Sequence, residues 1–372
     1  MDPVAHTFTG ATMFAAGLRR ATPLAAAALI MGANAPDVDV LAYFAAPFEA
    51  IAFRRGWTHG LLALAIWPFL IAAVLLAWDR WVRRRRNPAA APARAGPLLA
   101  VTALAVATHP LLDWLNDYGV RWLMPFDRSW YYGDALVVVD PWVWLVLGGV
   151  LFLTYSSSRL AIARWTVFWV VTTFIVLAAG ALVPFQTQIL WLVGVAALAA
   201  ARVRRPEIVR NERTLERAAL AVLALFAVYI VATSVATRIA RSQVRDGLAA
   251  LGIHGVERVM VGPAAGNPFA GEVVAATADT YYLGHWRWLA PTRLNLDGDP
   301  LPRPRGAVYD AAASAPEARK FLTWSRFPVI DTEPVAGGAV VVHFADARYV
   351  GRRGIDGPTV RLDSDLHVTA AD

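Results

Sequence analysis

Apolar runs long enough to cross a bilayer recur along the first 235 residues of this chain, and they leave few folds open. The clear ones are Leu61–Trp78, Leu98–Leu115, Leu136–Leu153, Trp165–Val183 and Ala218–Val235. A hydrocarbon layer about 30 Å thick takes roughly 20 residues of helix to cross. Backbone polar groups in that layer must be satisfied within the protein, so each run is expected to be a helix. Ile189–Ala201 is shorter but completes a hairpin with the run before it. Two weaker helices, about Val4–Gly17 and Pro23–Ala33, are short for a full span and are expected to be tilted, partly buried or re-entrant. The composition agrees. Hydrophobic residues make up 57% and charged residues 17%, and the mean hydropathy is +0.46, values of a membrane protein rather than a soluble one. Cysteine is absent, which excludes disulfides and thiolate metal sites. The start, Met-Asp-Pro-Val-Ala-His6, lacks the basic region of a cleavable signal peptide, so the first helices are expected to be retained.

Arginine placement orients these runs. Arg19 with Arg20, Arg80 with Arg83 to Arg86, Arg159 with Arg164, and the stretch Arg202 to Arg217 fall on alternate loops. One threading puts all four groups on the cytoplasmic side. The opposite loops, Asn34–Thr58, Asn116–Asp134 and Pro184–Gln188, are acidic or neutral. The net charge of +7 is arginine charge, since Lys320 is the single lysine. It reads as a topology signal, and no nucleic-acid partner is expected. Arg238, Arg241 and Arg245 follow the last span on the outer side, against the trend.

Past about Arg238 the texture changes: Gly, Pro and charges become frequent, and no apolar run exceeds a strand. Ala339–Phe344 and Arg348–Val350 read as strands. Ala315–Thr323 reads as a helix opened by Ser314, with Glu317 three residues later in a capping-box pattern. The expected architecture is an all-α polytopic membrane bundle with a C-terminal soluble α+β domain. Residues 1–158 are expected to form one membrane-embedded domain, 159–237 to add transmembrane helices, and 238–372 to form the α+β domain, outside the cytoplasmic membrane.

Within the first third, six metal-type side chains fall at the ends of the apolar segments: His6, Asp37, Asp39, His59, His109 and Asp113. The threading puts all six near the outer face. His109-Pro-Leu-Leu-Asp113 sets two of them four residues apart, on one helix face, with Pro110 kinking the helix there. Asn34-Ala-Pro-Asp37-Val-Asp39 reads as a turn with diverging carboxylates; the plainer alternative is an N-cap on a helix Val40–Phe44. Taken singly, His109 and Asp113 also fit a structural ion pair, His59 an interfacial histidine beside Trp57, and His6 a solvated terminal residue. Jointly, imidazole and carboxylate are the donors zinc or manganese takes. Ionisable groups beside membrane spans are costly without a role. Tyr131, Tyr132, Trp130 and Trp142 read as an interfacial aromatic belt. His254, His285, His343 and His367 have no ligand spacing.

His6 with Gly10, Asn34-x-Pro-Asp37-x-Asp39, Arg55-Gly-x-Thr-His59-Gly60 and His109-x-x-x-Asp113 resemble the YdjM-type inner-membrane metal-dependent hydrolase family over about Met1–Leu153. Members carry the description LexA-binding or membrane-bound hydrolase, so a LexA-type partner is implied by the family name alone. The same order of residues is similar, more distantly, to zinc-dependent phospholipase C, where the matching positions ligate zinc. This chain lacks the His/His/Glu set that would follow Asp113, and offers Asp117, Asp127, Asp134 and Asp140 instead. Asp140 fits either a place at the site or a helix start with Pro141. What the resemblance implies is a divalent metal, zinc above others, as one or two ions. The ligands would be His6, Asp37, His59, His109 and Asp113, with Asp39 as general base or as an orienting group behind a histidine, and Arg55 as a phosphate clamp.

The expected function is therefore a membrane-bound hydrolase acting on a phospholipid or another membrane-delivered ester or phosphoester, with membrane lipids as its partners. Two other classes compete. A transporter or ion carrier would relay ions through the carboxylates and histidines, but no inverted repeat is visible and Trp165–Val183 and Ala218–Val235 carry no mid-span polar marker. A non-catalytic membrane platform would hold a structural metal.

Overall fold

The structure, a computed structural model, describes residues 1–204, 211–350 and 356–371; residues 205–210 of the arginine-rich stretch lie outside them. The chain divides into two compact units. One comprises Met1–Val38, Arg55–Ala236 and Pro263–Pro268; the other comprises Asp39–Arg54, Thr237–Gly262 and Phe269–Asp372.

The first unit is helical. Its elements are α1 (Pro3–Ala15) and α2 (Ala25–Asn34), α4 (Leu61–Trp78) and α5 (Ala95–Trp114), α6 (Pro141–Tyr155), α7 (Arg159–Ala178), α8 (Phe185–Arg204) and most of α9 (Glu212–Ala250); α3 (Pro47–Phe53) falls in the second unit. Among the described residues, six helical segments are long and apolar enough to cross a membrane: Ala25–Phe44, Leu61–Arg86, Ala95–Trp114, Arg159–Ala178, Phe185–Arg204 and Glu212–Ala250. On α7, Val167, Val170 and Phe174 are 62%, 63% and 71% exposed, the surface a helix turns to lipid rather than to water.

Two of the helices begin the same way. Asp2 accepts hydrogen bonds from the Val4 and Ala5 amides at 3.0 and 3.1 Å, and Pro3 follows it. Asp140 accepts from the Trp142 amide at 2.8 Å, and Pro141 follows it. A carboxylate cap satisfies helix-end amides, and a proline in the first turn needs no amide there. This cap shortens the span expected over Leu136–Leu153: α6 starts at Pro141, while the Ala135 and Leu136 amides both donate to the Leu115 carbonyl. It also settles Asp140 as a helix start. The run Ala218–Val235, by contrast, is the middle of the 39-residue α9. At 1.5 Å per residue α9 is about 58 Å long, well beyond a hydrocarbon core. Arg238, Arg241 and Arg245 ride on this extension at spacings of three and four, sharing one face.

Small residues bring the helices around the site together. A Cβ added to Gly10 would lie 2.7 Å from the Leu29 carbonyl oxygen on α2, and one added to Gly32 would lie 2.7 Å from Ala105 Cβ on α5. Leu29, Leu98, Ala105 and Val106, all wholly buried, fill the space between.

The second unit carries two antiparallel sheets. The first contains β1 (Arg258–Ala264), β2 (Asn267–Ala276), β3 (Thr280–Arg287) and β4 (Leu294–Leu296) in that order, with β5 (Leu301–Pro302) paired to β3. The second orders β6 (Pro328–Pro334), β7 (Val340–Asp346), β8 (Thr359–Leu362) and β9 (Val368–Ala371). Helices α10 (Ala307–Ala313) and α11 (Pro316–Trp324) lie between them in sequence, and Phe321, Trp324 and Phe327 are wholly buried. The strand expected at Arg348–Val350 is a turn: the Arg348 guanidinium folds back onto Asp346 at 2.8 Å. The capping box at Ser314 does not form. Ser314 closes α10, donating its hydroxyl to the Ala311 carbonyl at 2.7 Å, and α11 starts beyond it at Pro316. An all-α membrane-type helical region followed by an α+β domain is the fold class the apolar runs and the later texture anticipated.

Candidate metal centre

Four segments of the first unit bring five side chains to one point. His6 comes from α1. Asp37 lies in the 3-10 turn Ala35–Phe44, which carries α2 onward, rather than capping a separate helix. His59 sits in the turn before α4, and His109 and Asp113 lie one turn apart at the end of α5. The turn before α4 is tightly built. A Cβ on Gly60 would lie 3.0 Å from the Met124 carbonyl oxygen, and Arg55 adopts φ 52°, a left-handed conformation that costs a non-glycine residue energy. The Arg55 guanidinium is buried.

Asp37, His59, His109 and Asp113 each offer a ligand atom, and the four atoms lie within 4.8 Å of one another. His59 Nε2 is 3.1 Å from both His109 Nε2 and Asp113 Oδ2. His109 Nε2 is 3.5 Å from Asp113 Oδ2 and 3.7 Å from Asp37 Oδ1, and His59 Nε2 is 4.0 Å from Asp37 Oδ1. Around a tetrahedral zinc with bonds of about 2.0–2.1 Å, donor atoms stand about 3.3–3.4 Å apart. The observed separations bracket that value.

The hydrogen bonding also suits a cation. His109 Nδ1 is 2.6 Å from the Ala33 carbonyl, which only accepts, so the proton sits on Nδ1 and Nε2 presents a lone pair. One proton on His59 Nε2 can serve one acceptor, yet His109, Asp37 and Asp113 all face it. A single cation serves all of them. Behind His59, Thr58 Oγ1 is 2.9 Å from Nδ1, and the Trp67 indole donates to the Thr58 carbonyl at 3.1 Å. His59, His109 and Asp113 are fully buried; Asp37 is 15% exposed and marks the side from which the group can be reached.

Asp113 divides its oxygens. Oδ2 faces the two imidazoles. Oδ1 accepts from Arg55 Nη2 at 3.0 Å and from the Met1 amino group, and lies 3.4 Å from His6 Nε2. His6 stacks on His109 with ring centroids 3.7 Å apart, and neither of its ring nitrogens makes a hydrogen bond. A buried imidazole without a hydrogen bond is uncommon, and His6 stands beside, not among, the four donors that lie within 4.8 Å of one another. Arg55 is further fixed by Asn116 Oδ1 at 2.9 Å and by the Tyr118 ring, 4.5 Å from its guanidinium carbon. The clamp role drawn for Arg55, like the base role drawn for Asp39, rests on the motif alone. Asp39 belongs to the second unit, where it accepts from Arg54 Nε at 3.2 Å.

Sequence reasoning passed over Asn116 and Thr58. Asn116 stands three residues past Asp113, a spacing that could have drawn attention to it. Thr58 sat in plain view within the motif as a residue without a role. The later aspartates do not join the four: Asp127 accepts from Ser129 in a surface turn, and Asp140 caps α6 and accepts from the Tyr229 hydroxyl at 3.0 Å. In the second unit His285 pairs with Glu272 and Asp297 at the surface.

Comparison with known proteins places this region. Residues 1–183 match the YdjM inner membrane protein family, and that stretch contains every side chain of the centre. The uncharacterized protein YfhP of Bacillus subtilis (strain 168) is 28% identical over 118 residues, which cover 32% of this chain and 33% of that protein. The chain therefore matches only about a third of that relative's length. No solved structure matches. Similarity to zinc-dependent phospholipase C is not among the findings. The resemblance to the YdjM type holds over the first 183 residues, and the protein is a membrane protein carrying a His/Asp group able to hold a metal ion.

Proposed function

We propose that this protein is a membrane-bound metal-dependent hydrolase whose substrate is a phospholipid or another ester or phosphoester delivered by the bilayer. The observation that carries the reading is the convergence of Asp37, His59, His109 and Asp113, drawn from three separate stretches of sequence, on one buried point. Zinc suits the donor set, and when bound it supplies Lewis-acid polarisation of a phosphoryl or acyl oxygen and a water of lowered pKa. The chain's own groups do the rest. The Ala33 carbonyl fixes the His109 tautomer, Arg55 keeps Asp113 turned so that Oδ2 faces the imidazoles, and the buried walls exclude bulk water. His6, beside Asp113 Oδ1, completes the ligand set or shifts a proton next to it. We assign the arginine-rich loops to the cytoplasm and the centre, with the C-terminal domain, to the outer face of a multi-pass protein. A reporter active only in the periplasm, fused after Asp372, tests that assignment.

A second reading has one observation in its favour. Four protein donors are the number a closed structural zinc site uses, whereas catalytic sites keep a position open. The protein would then be a platform with a structural metal. Two measurements decide. Metal analysis of the purified protein should find a divalent ion, and His109→Ala and Asp113→Ala should each lose it while remaining folded. Unchanged metal content in both variants would sink the centre itself. Release of product from phospholipid or phosphodiester substrates, lost in Asp113→Ala, supports hydrolysis. A metal-loaded protein inert across acyl and phosphoryl esters leaves the structural reading.

A further inference from the structure

A half-open cavity of about 260 Å³ lies between α6 and α9, apart from the metal centre. Val146 and Leu147 of α6 face Leu225 and Phe226 of α9 across it. Trp142 and Tyr229 stand at its other end, as shown by the bond from Tyr229 to Asp140, which starts α6. The two side-chain donors on its wall are both engaged elsewhere. The Trp142 indole donates to the Gly266 carbonyl at 3.0 Å, and the Tyr229 hydroxyl donates to Asp140 Oδ2 at 3.0 Å. No wall donor is left for a polar ligand, and a cavity lined this way does not retain water.

Its mouth tells what does enter. α9 is one of the segments able to cross a membrane, and beside the cavity its Leu225, Val228 and Val231 are 56%, 63% and 61% exposed. The cavity wall thus continues without a polar break into the lipid-facing surface of that helix. We propose that this groove binds the hydrocarbon chain of a bilayer lipid, with the polar end of the chain at Trp142 and Tyr229 and its apolar end at Leu147 and Phe226. Aromatic side chains with one polar atom are suited to the boundary between headgroup and chain. The site does not depend on the hydrolase reading, since none of its wall residues belongs to the metal group.

The test uses the full chain reconstituted in phosphatidylethanolamine–phosphatidylglycerol vesicles containing phosphatidylethanolamine with a diazirine in one acyl chain. After photolysis, peptide mapping should find adducts on residues 142–147 and 225–229 at about fivefold the level on the equally exposed face Val167–Phe174 of α7, the enrichment that about 1 kcal/mol of preference gives. Val146→Trp fills the groove from α6 and should return its labelling to the α7 level. Leu225→Trp does so from the exposed side of α9 and serves if the first variant does not fold. Metal content should be unchanged in the variant used. Labelling of the groove no higher than that of α7, or an enrichment that a folded tryptophan variant leaves intact, overturns the proposal.

Discussion

Asp113 in the helical unit and Asp346 in the sheet unit are both fully buried carboxylates, and they are held in opposite ways. Asp346 accepts from the Ser325 hydroxyl, from the amides of Arg326, Phe327 and Arg348, and from two nitrogens of the Arg348 guanidinium, all between 2.7 and 3.1 Å. Every one of those donors lies within 21 residues of it. Around Asp113 stand three imidazoles, an arginine and an amino group, from as far as 112 residues away, and the imidazoles cannot all donate. A carboxylate surrounded by obligate donors is finished as a structural element. Asp113 has cationic partners at Oδ1, but its Oδ2 faces imidazole nitrogens that cannot all donate, and that side is where a metal ion could be held.

That contrast can be broken most severely at Asp346. Replacing it with alanine strands the buried Arg348 guanidinium, and unfolding of the sheet unit should become easier by about 3–5 kcal/mol, seen as a lower denaturant midpoint or faster proteolysis. Asp113→Ala lies in the other unit and leaves Arg55 its bond to Asn116, so it should leave the sheet unit's midpoint nearly in place. Equal losses in the two variants would show that both carboxylates are structural.

Acid sharpens the difference next. Burial alone would raise the Asp346 carboxyl, but the Arg348 guanidinium, with its amide and that of Phe327, holds it down at about 2. An unfolded aspartate titrates near 3.9. A depressed folded value means that the stabilisation is complete above the unfolded value and drains away as pH falls towards the folded one. Denaturant unfolding of the sheet unit should therefore weaken by about 2 kcal/mol between pH 5 and pH 2. A flat profile would mean that the Arg348 pairing does not stabilise the folded unit.

The smallest effect is at Arg55. Arg55→Gln removes the charge that turns Asp113 and should weaken metal affinity about tenfold in a chelator competition, with little change in folding. No change would place Arg55 outside the centre's support.

Much of this was legible in the chain because the signals were local or periodic. Apolar runs gave the helices, and a spacing of four gave His109 with Asp113. Where reading failed, an interaction from elsewhere in the sequence decided. α6 begins late because Asp140 takes its first amides as a cap. Ser314 looked like the opening of one helix and closes another, since the same hydroxyl can face either way. Arg348–Val350 has strand-like residues but bends because Arg348 turns back to Asp346. The contact between His109 and Ala33 could not be read at all, because its acceptor is a backbone carbonyl and no residue type announces it.

That last bond has an evolutionary side. A carbonyl has no side chain to lose, so no point substitution at position 33 deletes the group that fixes the His109 proton. The support can be changed only by displacing α2 as a body, and Gly32 next door, with Ala105 Cβ 2.7 Å from where its own Cβ would stand, is one place where a single mutation would do so; Gly10, facing the Leu29 carbonyl, is another. Ala33 is itself wholly buried, its Cβ 3.3 Å from where one on Gly10 would stand, so drift along these helices should be intolerant of enlargement at 10, 32 and 33 alike.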